Sequence, residues 1–219
     1  MTDSTADLDD HVLPHLNSSA LLVIDMQNDF ADDGPCPVPG TAGLVPRLRT
    51  LLDAYRHAGR PIVHVVRLYD GDDVDRVRRT AITRDDAPIA RPGTTGSRIL
   101  SGLLPPGAPA LDPTLLTAGT FQAAGPHETV MWKPRWSAFH RTDLDAHLQR
   151  AAIDTVVVAG CNFPNCPRST LFDASCRDYR LVLATDATSR ITPDRLADAR
   201  SIGVVPLTVA EIAAVVGTD

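Results

Sequence analysis

Six short apolar segments, spaced along the chain, constrain its fold more than any other feature of the sequence. They lie at residues 20–25, 61–66, 129–133, 155–160, 180–186 and 203–207. Runs of this length without polar alternation are typical of strands that are buried on both faces of a parallel sheet. Segments with helical periodicity lie between or after them, at residues 43–58, 142–151, 166–178, 192–201 and 208–215. This alternation predicts an α/β fold in which helices cover both faces of a six-stranded, mainly parallel sheet.

The length of the chain, 219 residues, suits a single domain of this class. We expect residues 1–18 to form a poorly ordered lead-in, because they are polar, and residues 19–219 to form the domain. The segment 70–128 is the least regular part, with an Asp-rich turn, an Arg-rich stretch and many Pro and Gly residues. Such charge runs favour a solvated excursion over the surface, with a lid or substrate loop as the alternative.

Charge and composition exclude several classes of function. The net charge of −6 gives no reason to expect the basic face that nucleic-acid binding needs. It also argues against binding to an acidic membrane surface. No segment approaches the roughly 18 apolar residues of a membrane span, and the acidic N-terminus does not resemble a signal peptide. Four cysteines in a chain of this length indicate free thiols in a reducing compartment. We therefore predict a cytoplasmic protein with a small-molecule substrate and no nucleic-acid or membrane partner.

Reactive side chains follow three of the predicted strands. Asp25 closes the first strand, Lys133 closes the third, and Cys161 and Cys166 follow the fourth. Lys133 is the only lysine among 21 basic residues, and a guanidinium cannot copy its compact ammonium group. Ligands of parallel sheets bind beyond the carboxyl ends of the strands, where the strand order reverses. We therefore expect a carboxylate, an amine and a thiol to meet there, which is the mixture that nucleophilic catalysis requires.

Local sequence distinguishes the two cysteines. Pro167 favours the first turn of a helix, so Cys166 is the predicted N-cap, where the helix dipole should lower the pKa of its thiol. Cys161 is interpreted as a small buried apolar residue, as are Cys36 and Cys176. A metal site or a redox pair is the alternative for Cys161 and Cys166, but their spacing matches neither C-x-x-C nor the usual zinc patterns.

Three segments resemble signature blocks of the isochorismatase-like cysteine hydrolase superfamily. They are LLVIDMQNDF at 21–30, KPRWSAF at 133–139 and VAGCNFPNC at 158–166. The resemblance implies a Rossmann-like, three-layer αβα fold, a catalytic triad of Asp25, Lys133 and Cys166, and assembly as a homo-oligomer. It also implies a cis peptide bond between Cys161 and Asn162, and an oxyanion hole formed by the backbone N–H groups of Asn162 and Cys166.

Departures from the family pattern narrow the expected reaction. Family members that cleave a vinyl ether lack the nucleophilic cysteine, so Cys166 favours the amidase branch, which is similar to N-carbamoylsarcosine amidase, biuret amidohydrolase and nicotinamidase. Phe163 and Pro167 stand where the family commonly has Thr and Val, so no individual substrate is carried over. The Asp-x-His that binds a metal in nicotinamidases is missing after the second strand, where the chain reads HVVRLYD from His64. We therefore expect neither a metal nor a cofactor.

These observations together predict a cysteine hydrolase that cleaves a C–N bond of a small amide, ureido or imide substrate through a covalent acyl-enzyme. The predicted substrate-binding residues are Phe30, Arg67, Tyr69, Trp136 and Phe139. The aromatic members are equally compatible with core packing, whereas an arginine that leaves a buried strand suits a carboxylate, imide or ureido group. Two alternatives remain open, a cysteine-dependent acyl or carbamoyl transferase and a non-catalytic binding protein that uses the fold alone.

Overall fold

The structure, a computed structural model, describes residues 9–217, which contain seven strands and seven α-helices. The strands are β1 (Ser19–Ile24), β2 (Ile62–Val66), β3 (Gln122–Gly125), β4 (Glu128–Trp132), β5 (Thr155–Gly160), β6 (Arg180–Thr188) and β7 (Val204–Leu207). The helices are α1 (Val45–His57), α2 (Arg76–Thr83), α3 (Pro113–Thr117), α4 (Leu144–Arg150), α5 (Cys166–Ser175), α6 (Pro193–Arg200) and α7 (Val209–Val216).

The strands form one sheet in the order β3-β4-β2-β1-β5-β6-β7. All neighbours are parallel except β3, which pairs antiparallel with β4. From β1 the chain builds outward through β2 and β4, and it then crosses to the other side of β1 to add β5, β6 and β7. The strand order therefore reverses between β1 and β5, and a ligand crevice is expected at the carboxyl ends of these two strands.

The sheet contains one strand more than the six that were predicted. All six predicted strands are present, with ends that differ by two residues or fewer. The seventh, β3, has the sequence QAAG, which carries little β propensity, so its pairing with β4 determines its conformation. Two short helices of the segment 70–128, α2 and α3, were not predicted either. No residue of α2 is buried, and arginine and threonine dominate its sequence, RVRRTAIT, so the segment was interpreted as a charge run.

Apolar side chains pack on both faces of the sheet, because successive residues of a strand point to opposite faces. One cluster joins Leu21 and Val23 of β1 to the buried sides of α1 and α7. The other joins Leu22 and Ile24 of the same strand to α4, α5 and α6. The fold is therefore the predicted three-layer αβα arrangement. None of the helices described in residues 9–217 is long and apolar enough to cross a membrane.

The predicted lead-in is described only in part, because residues 1–8 lie outside the described residues. Residues 9–18 contact the body of the protein. The side chain of Leu16 is buried, and the guanidinium of Arg180 at the start of β6 donates to the carbonyl oxygens of Asp10 and Leu13 at 2.6 and 2.7 Å. These contacts attach the N-terminal segment beside the amino ends of β5 and β6, away from the crevice.

Candidate active site

The carboxyl ends of four neighbouring strands surround a narrow cavity of about 60 Å³. Asp25, Arg67 and Lys133 follow the last residues of β1, β2 and β4, and Cys161 follows β5. Cys166 begins α5 five residues later and lines the cavity with Asp25 and Arg67. Residues that are far apart in sequence are thus brought together by the strand order.

A glycine allows β1 and β5 to approach closely at this edge. Gly160 has a φ of +114°, and a Cβ atom added to it would lie 2.3 Å from the carbonyl oxygen of Ile24. A residue with a side chain would therefore force the two strand ends apart. The residues that follow these ends, Asp25 and Cys161, both line the cavity.

Lys133 and Asp25 form a buried ion pair beside the cavity. The Nζ atom of Lys133 lies 2.9 Å from Oδ2 of Asp25, and the two side chains are 0% and 5% exposed. The ammonium also approaches the carbonyl oxygen of Arg135 at 3.4 Å. The second carboxylate oxygen of Asp25, Oδ1, has no hydrogen-bond partner among the described residues. One oxygen of Asp25 therefore holds the lysine, and the other is uncommitted.

The thiol of Cys166 lies at the start of a helix, although not at the predicted position. The N-cap of α5 is Asn165 and Cys166 is the first helical residue, so the predicted N-cap was wrong by one residue. Pro167 still occupies the first turn, as its sequence position indicated. The side chain of Cys166 is mostly buried, so its environment is determined by the protein rather than by solvent.

Burial raises the pKa of the Cys166 thiol to about 11, and the neighbouring Asp25 carboxylate adds to the rise. Lys133 and Arg67 act in the opposite direction but do not offset the loss of solvation. The predicted lowering of this pKa by the helix dipole was therefore wrong. Cys166 is a neutral thiol at neutral pH, and it needs a base to become a nucleophile.

The loop between β5 and α5 places two backbone donors beside this thiol. The peptide bond between Cys161 and Asn162 is cis, as the family resemblance implied. Within residues 9–217, neither the N–H of Asn162 nor that of Cys166 donates a hydrogen bond to the protein. Asn162 and Cys166 both line the cavity, so these two uncommitted donors belong to residues on its wall.

Four of the five predicted substrate-binding residues line the cavity, namely Phe30, Arg67, Tyr69 and Trp136. Phe139 does not line it. Its ring lies 5.9 Å from the ring of Tyr179, and the guanidinium of Arg177 lies 4.9 Å from its centroid. Phe139 therefore packs in the apolar layer with α5 and β6, and we do not assign it to the substrate site.

Arg67 is paired with a carboxylate that sequence reasoning missed. Its Nη2 atom donates to Oδ2 of Asp75 at 2.7 Å, and the hydroxyl of Tyr69 donates to the same oxygen at 3.2 Å. Asp75 and Arg67 are both buried. Asp75 lies in the charged segment 70–128, where the sequence pattern indicated solvent. The one indication of Asp75 in the sequence was Arg67, because an arginine at the end of a buried strand needs an acidic partner.

A larger cavity of about 730 Å³ adjoins the narrow one. The two share Asp75, Val77 and Trp136 as lining residues, and the larger cavity is also lined by Arg76, Arg135, Arg168 and His140. The first turn of α2 thus contributes to the walls of both cavities. This part of the segment 70–128 is a wall of the site, as well as an excursion over the surface.

The side chains in and directly after β2 do not form a metal site. His64 hydrogen bonds to Glu128 at 2.7 Å within the protein interior, and the guanidinium of Arg67 adds a positive charge to the cavity wall. No three His, Cys, Asp or Glu side chains in residues 9–217 lie close enough together to hold a metal ion.

Comparison with known proteins identifies relatives along nearly the whole chain. Residues 19–211 match the family model described as the isochorismatase domain. The chain is 33% identical over 195 residues to an Arabidopsis thaliana protein named as a probable inactive nicotinamidase, covering 85% of this chain and 90% of that one. It is 30% identical over 193 residues to the ureidoacrylate amidohydrolase RutB of Methylorubrum extorquens, covering 82% and 73%. The crystal structure of an isochorismatase family protein from Desulfovibrio vulgaris matches with a TM-score of 0.77 and 34% identity, covering 92% and 100%.

Proposed function

This chain belongs to the isochorismatase family, and on that premise we propose that it is a cysteine hydrolase that cleaves a C–N bond of a small amide, ureido or imide substrate. The observation that carries the proposal is the buried ion pair of Lys133 and Asp25, whose carboxylate lines one cavity with Cys166. A buried ion pair is weak evidence for stability, because desolvation opposes the attraction of the charges. A carboxylate with one oxygen free beside a thiol suits a general base and its nucleophile.

The first half of the proposed reaction forms the acyl-enzyme. The free oxygen of Asp25 takes the proton of the Cys166 thiol as the sulfur attacks the carbonyl carbon of the substrate. The negative charge that develops on the carbonyl oxygen is stabilised by the N–H groups of Asn162 and Cys166, and each such donor contributes about 100- to 1,000-fold in rate. The C–N bond then breaks, and Asp25 passes its proton to the leaving nitrogen.

The second half hydrolyses the intermediate. Asp25 takes a proton from water as the water oxygen attacks the acyl or carbamoyl carbon. The C–S bond breaks, and the proton returns from Asp25 to the sulfur, which restores the neutral thiol. Throughout both halves, Lys133 stabilises negative charge on Asp25 and on the sulfur through its positive charge.

An ammonia-release screen over small amides and ureides, with chromatographic detection of the amide product for imides, tests this function. The wild-type protein should cleave at least one class, whereas Cys166→Ser should cleave none, because a serine hydroxyl is far harder to deprotonate than a thiol. The same screen with an added amine or alcohol distinguishes hydrolysis from transfer to that acceptor. Equal rates of substrate cleavage by the wild-type protein and the Cys166→Ser variant would rule out the cysteine mechanism.

A non-catalytic role is the second candidate, because one relative is named as a probable inactive nicotinamidase. The uncommitted N–H groups and the free oxygen of Asp25 favour the enzyme, since a structural ion pair needs neither. Absence of turnover over the whole screen, together with tight binding of one screened compound, would favour the binding protein. Assembly as a homo-oligomer and the cytoplasmic location remain predictions. Light scattering tests the first, and cell fractionation tests the second.

A further inference from the structure

Three buried acceptor atoms without a donor belong to residues that line the narrow cavity. They are Oδ1 of Asp25, Oδ1 of Asp75 and Oδ1 of Asn162, each buried and without a hydrogen-bond partner among the described residues. All three residues line the cavity. A buried acceptor without a donor destabilises the folded protein, and the effect is larger when the acceptor is charged. A ligand that supplies N–H groups would remove this effect, whereas a ligand with only acceptors or carbon at the same places would not.

The orientation of the Asp75 carboxylate is fixed by its neighbours. Arg67 and Tyr69 both donate to Oδ2, so this oxygen faces the two donors and Oδ1 is the free one. Asp75 lies on the part of the wall that the two cavities share, whereas Asp25 lies beside the thiol, on a part that belongs to the narrow cavity alone.

We propose that Asp75 determines substrate specificity by accepting a hydrogen bond from an N–H group on the side of the reacting carbonyl away from the leaving nitrogen. The site then selects ureido substrates, in which nitrogen flanks the carbonyl on both sides, over carboxamides, in which carbon takes the second position. A substrate with a carboxylate at this second position would be repelled by the negative charge of Asp75. This inference rests on the proposed function for the reaction, but the binding preference it predicts does not depend on turnover.

Methylurea and propanamide test the preference directly, because they have the same number of heavy atoms and differ in one N–H against one CH₂. Their dissociation constants are measured by ligand-observed NMR on the full chain carrying Cys166→Ala, so that no hydrolysis intervenes. Methylurea should bind at least about tenfold more tightly, as expected for one buried hydrogen bond to a charged acceptor. Equal affinities would overturn the proposal whatever the ammonia-release screen shows, and a failed screen alone would overturn only the hydrolase.

The Asp75→Asn substitution, added to the Cys166→Ala protein, replaces the free acceptor at this part of the cavity wall by a donor. Because Arg67 and Tyr69 are both donors, the asparagine should keep its oxygen toward them and turn its NH₂ group to the free position. The preference for methylurea should then fall below about twofold, since an N–H would face a donor instead of an acceptor. A retained tenfold preference in a folded Asp75→Asn protein would overturn the proposal.

Asp73→Asn is the matched control. Asp73 lies two residues earlier, is 56% exposed, and pairs with Arg135 and Arg141 at the surface without lining either cavity. Its substitution should leave the tenfold preference intact. Loss of the preference in both variants would overturn the proposal, because it would reflect a general disturbance of this loop. If Asp75→Asn does not fold, the comparison of the two ligands in the Cys166→Ala protein still decides.

Discussion

Replacing Lys133 by methionine should make the stability of the protein depend on pH in a defined way. Methionine has a similar length and no charge, so the substitution leaves Asp25 buried without its counter-ion. The side chains of Lys133 and Asp25 are 0% and 5% exposed, so solvent replaces only a small part of the lost interaction. Asp25 can respond in two ways. It can stay charged, which forfeits the attraction to Lys133, or it can bind a proton.

The second response limits the loss of stability. Charges 2.9 Å apart attract by about 6 kcal/mol at an effective dielectric constant of about 20. An aspartic acid in the unfolded chain ionises near pH 3.9, so protonating it costs about 4 kcal/mol at pH 7 and about 1.5 kcal/mol at pH 5. Protonation is the cheaper response at both values. In the variant, the folded state then holds one proton more than the unfolded state, so stability falls by about 1.4 kcal/mol for each pH unit of increase.

Urea denaturation at pH 5, 6 and 7 measures this effect, with the fluorescence of Trp132 and Trp136 as the signal. The free energy of unfolding of Lys133→Met should lie about 4 kcal/mol below that of the wild-type protein at pH 7, and about 1.5 kcal/mol below it at pH 5. The double variant Asp25→Asn/Lys133→Met should recover most of the loss at pH 7, because no charge is left unpaired. Asparagine also tolerates the positive φ of 52° at position 25.

A loss that is the same at pH 5 and pH 7 would refute this reasoning, because it would mean that Asp25 takes up no proton when Lys133 is removed. A double variant that is as unstable as Lys133→Met at pH 7 would also refute it. In that case the lysine would stabilise the fold through packing rather than through its charge.

Two further outcomes are expected. Alkylation of Cys166 by iodoacetamide should accelerate as the pH approaches 11, because its raised pKa keeps the thiol protonated. Cys176, which is exposed and not buried as predicted, serves as an internal reference in peptide mass spectrometry. A rate for Cys166 that is already maximal at pH 7 would contradict the raised pKa. Gly160→Ala should lower the free energy of unfolding by about 2 kcal/mol or more, because its Cβ would collide with the carbonyl of Ile24 at a positive φ. Gly43→Ala, where nothing lies within 4 Å of the added atom, should change it by less than about 0.5 kcal/mol, and equal effects of the two would show that β1 and β5 adjust freely.

The sheet was predictable from sequence because its inner strands are buried on both faces. The runs that became β1, β5 and β6 are apolar enough that few other structures suit them. The positions of Asp25 and Lys133 then followed from where two of these runs end, and their meeting followed from the rule for parallel sheets. β3 escaped prediction because a four-residue edge strand is stabilised by its neighbour, not by its own sequence.

The cavity was less predictable than the residues around the thiol. Phe139 follows Lys133 by six residues in one signature block, but only the packing shows that its ring turns toward Tyr179. Asp75 looked like one more charge in a polar segment, and nothing local in the sequence indicates that it is buried against Arg67. The pKa of Cys166 depends on burial as well as on its place in a helix, and burial is a property of the whole fold.

The crossing of the chain from β4 to β5 has a consequence for how this protein can be divided. Asp25, Arg67 and Lys133 all precede α4, whereas the sulfur of Cys166 comes after β5, on the opposite side of the central strand. A cut at the exposed residues 151 and 152 would leave the base and its ammonium on one fragment and the nucleophile on the other. Neither fragment would hold a complete set of reacting groups, so restored turnover would be a direct signal that the two pieces had reassembled edge to edge along β1 and β5.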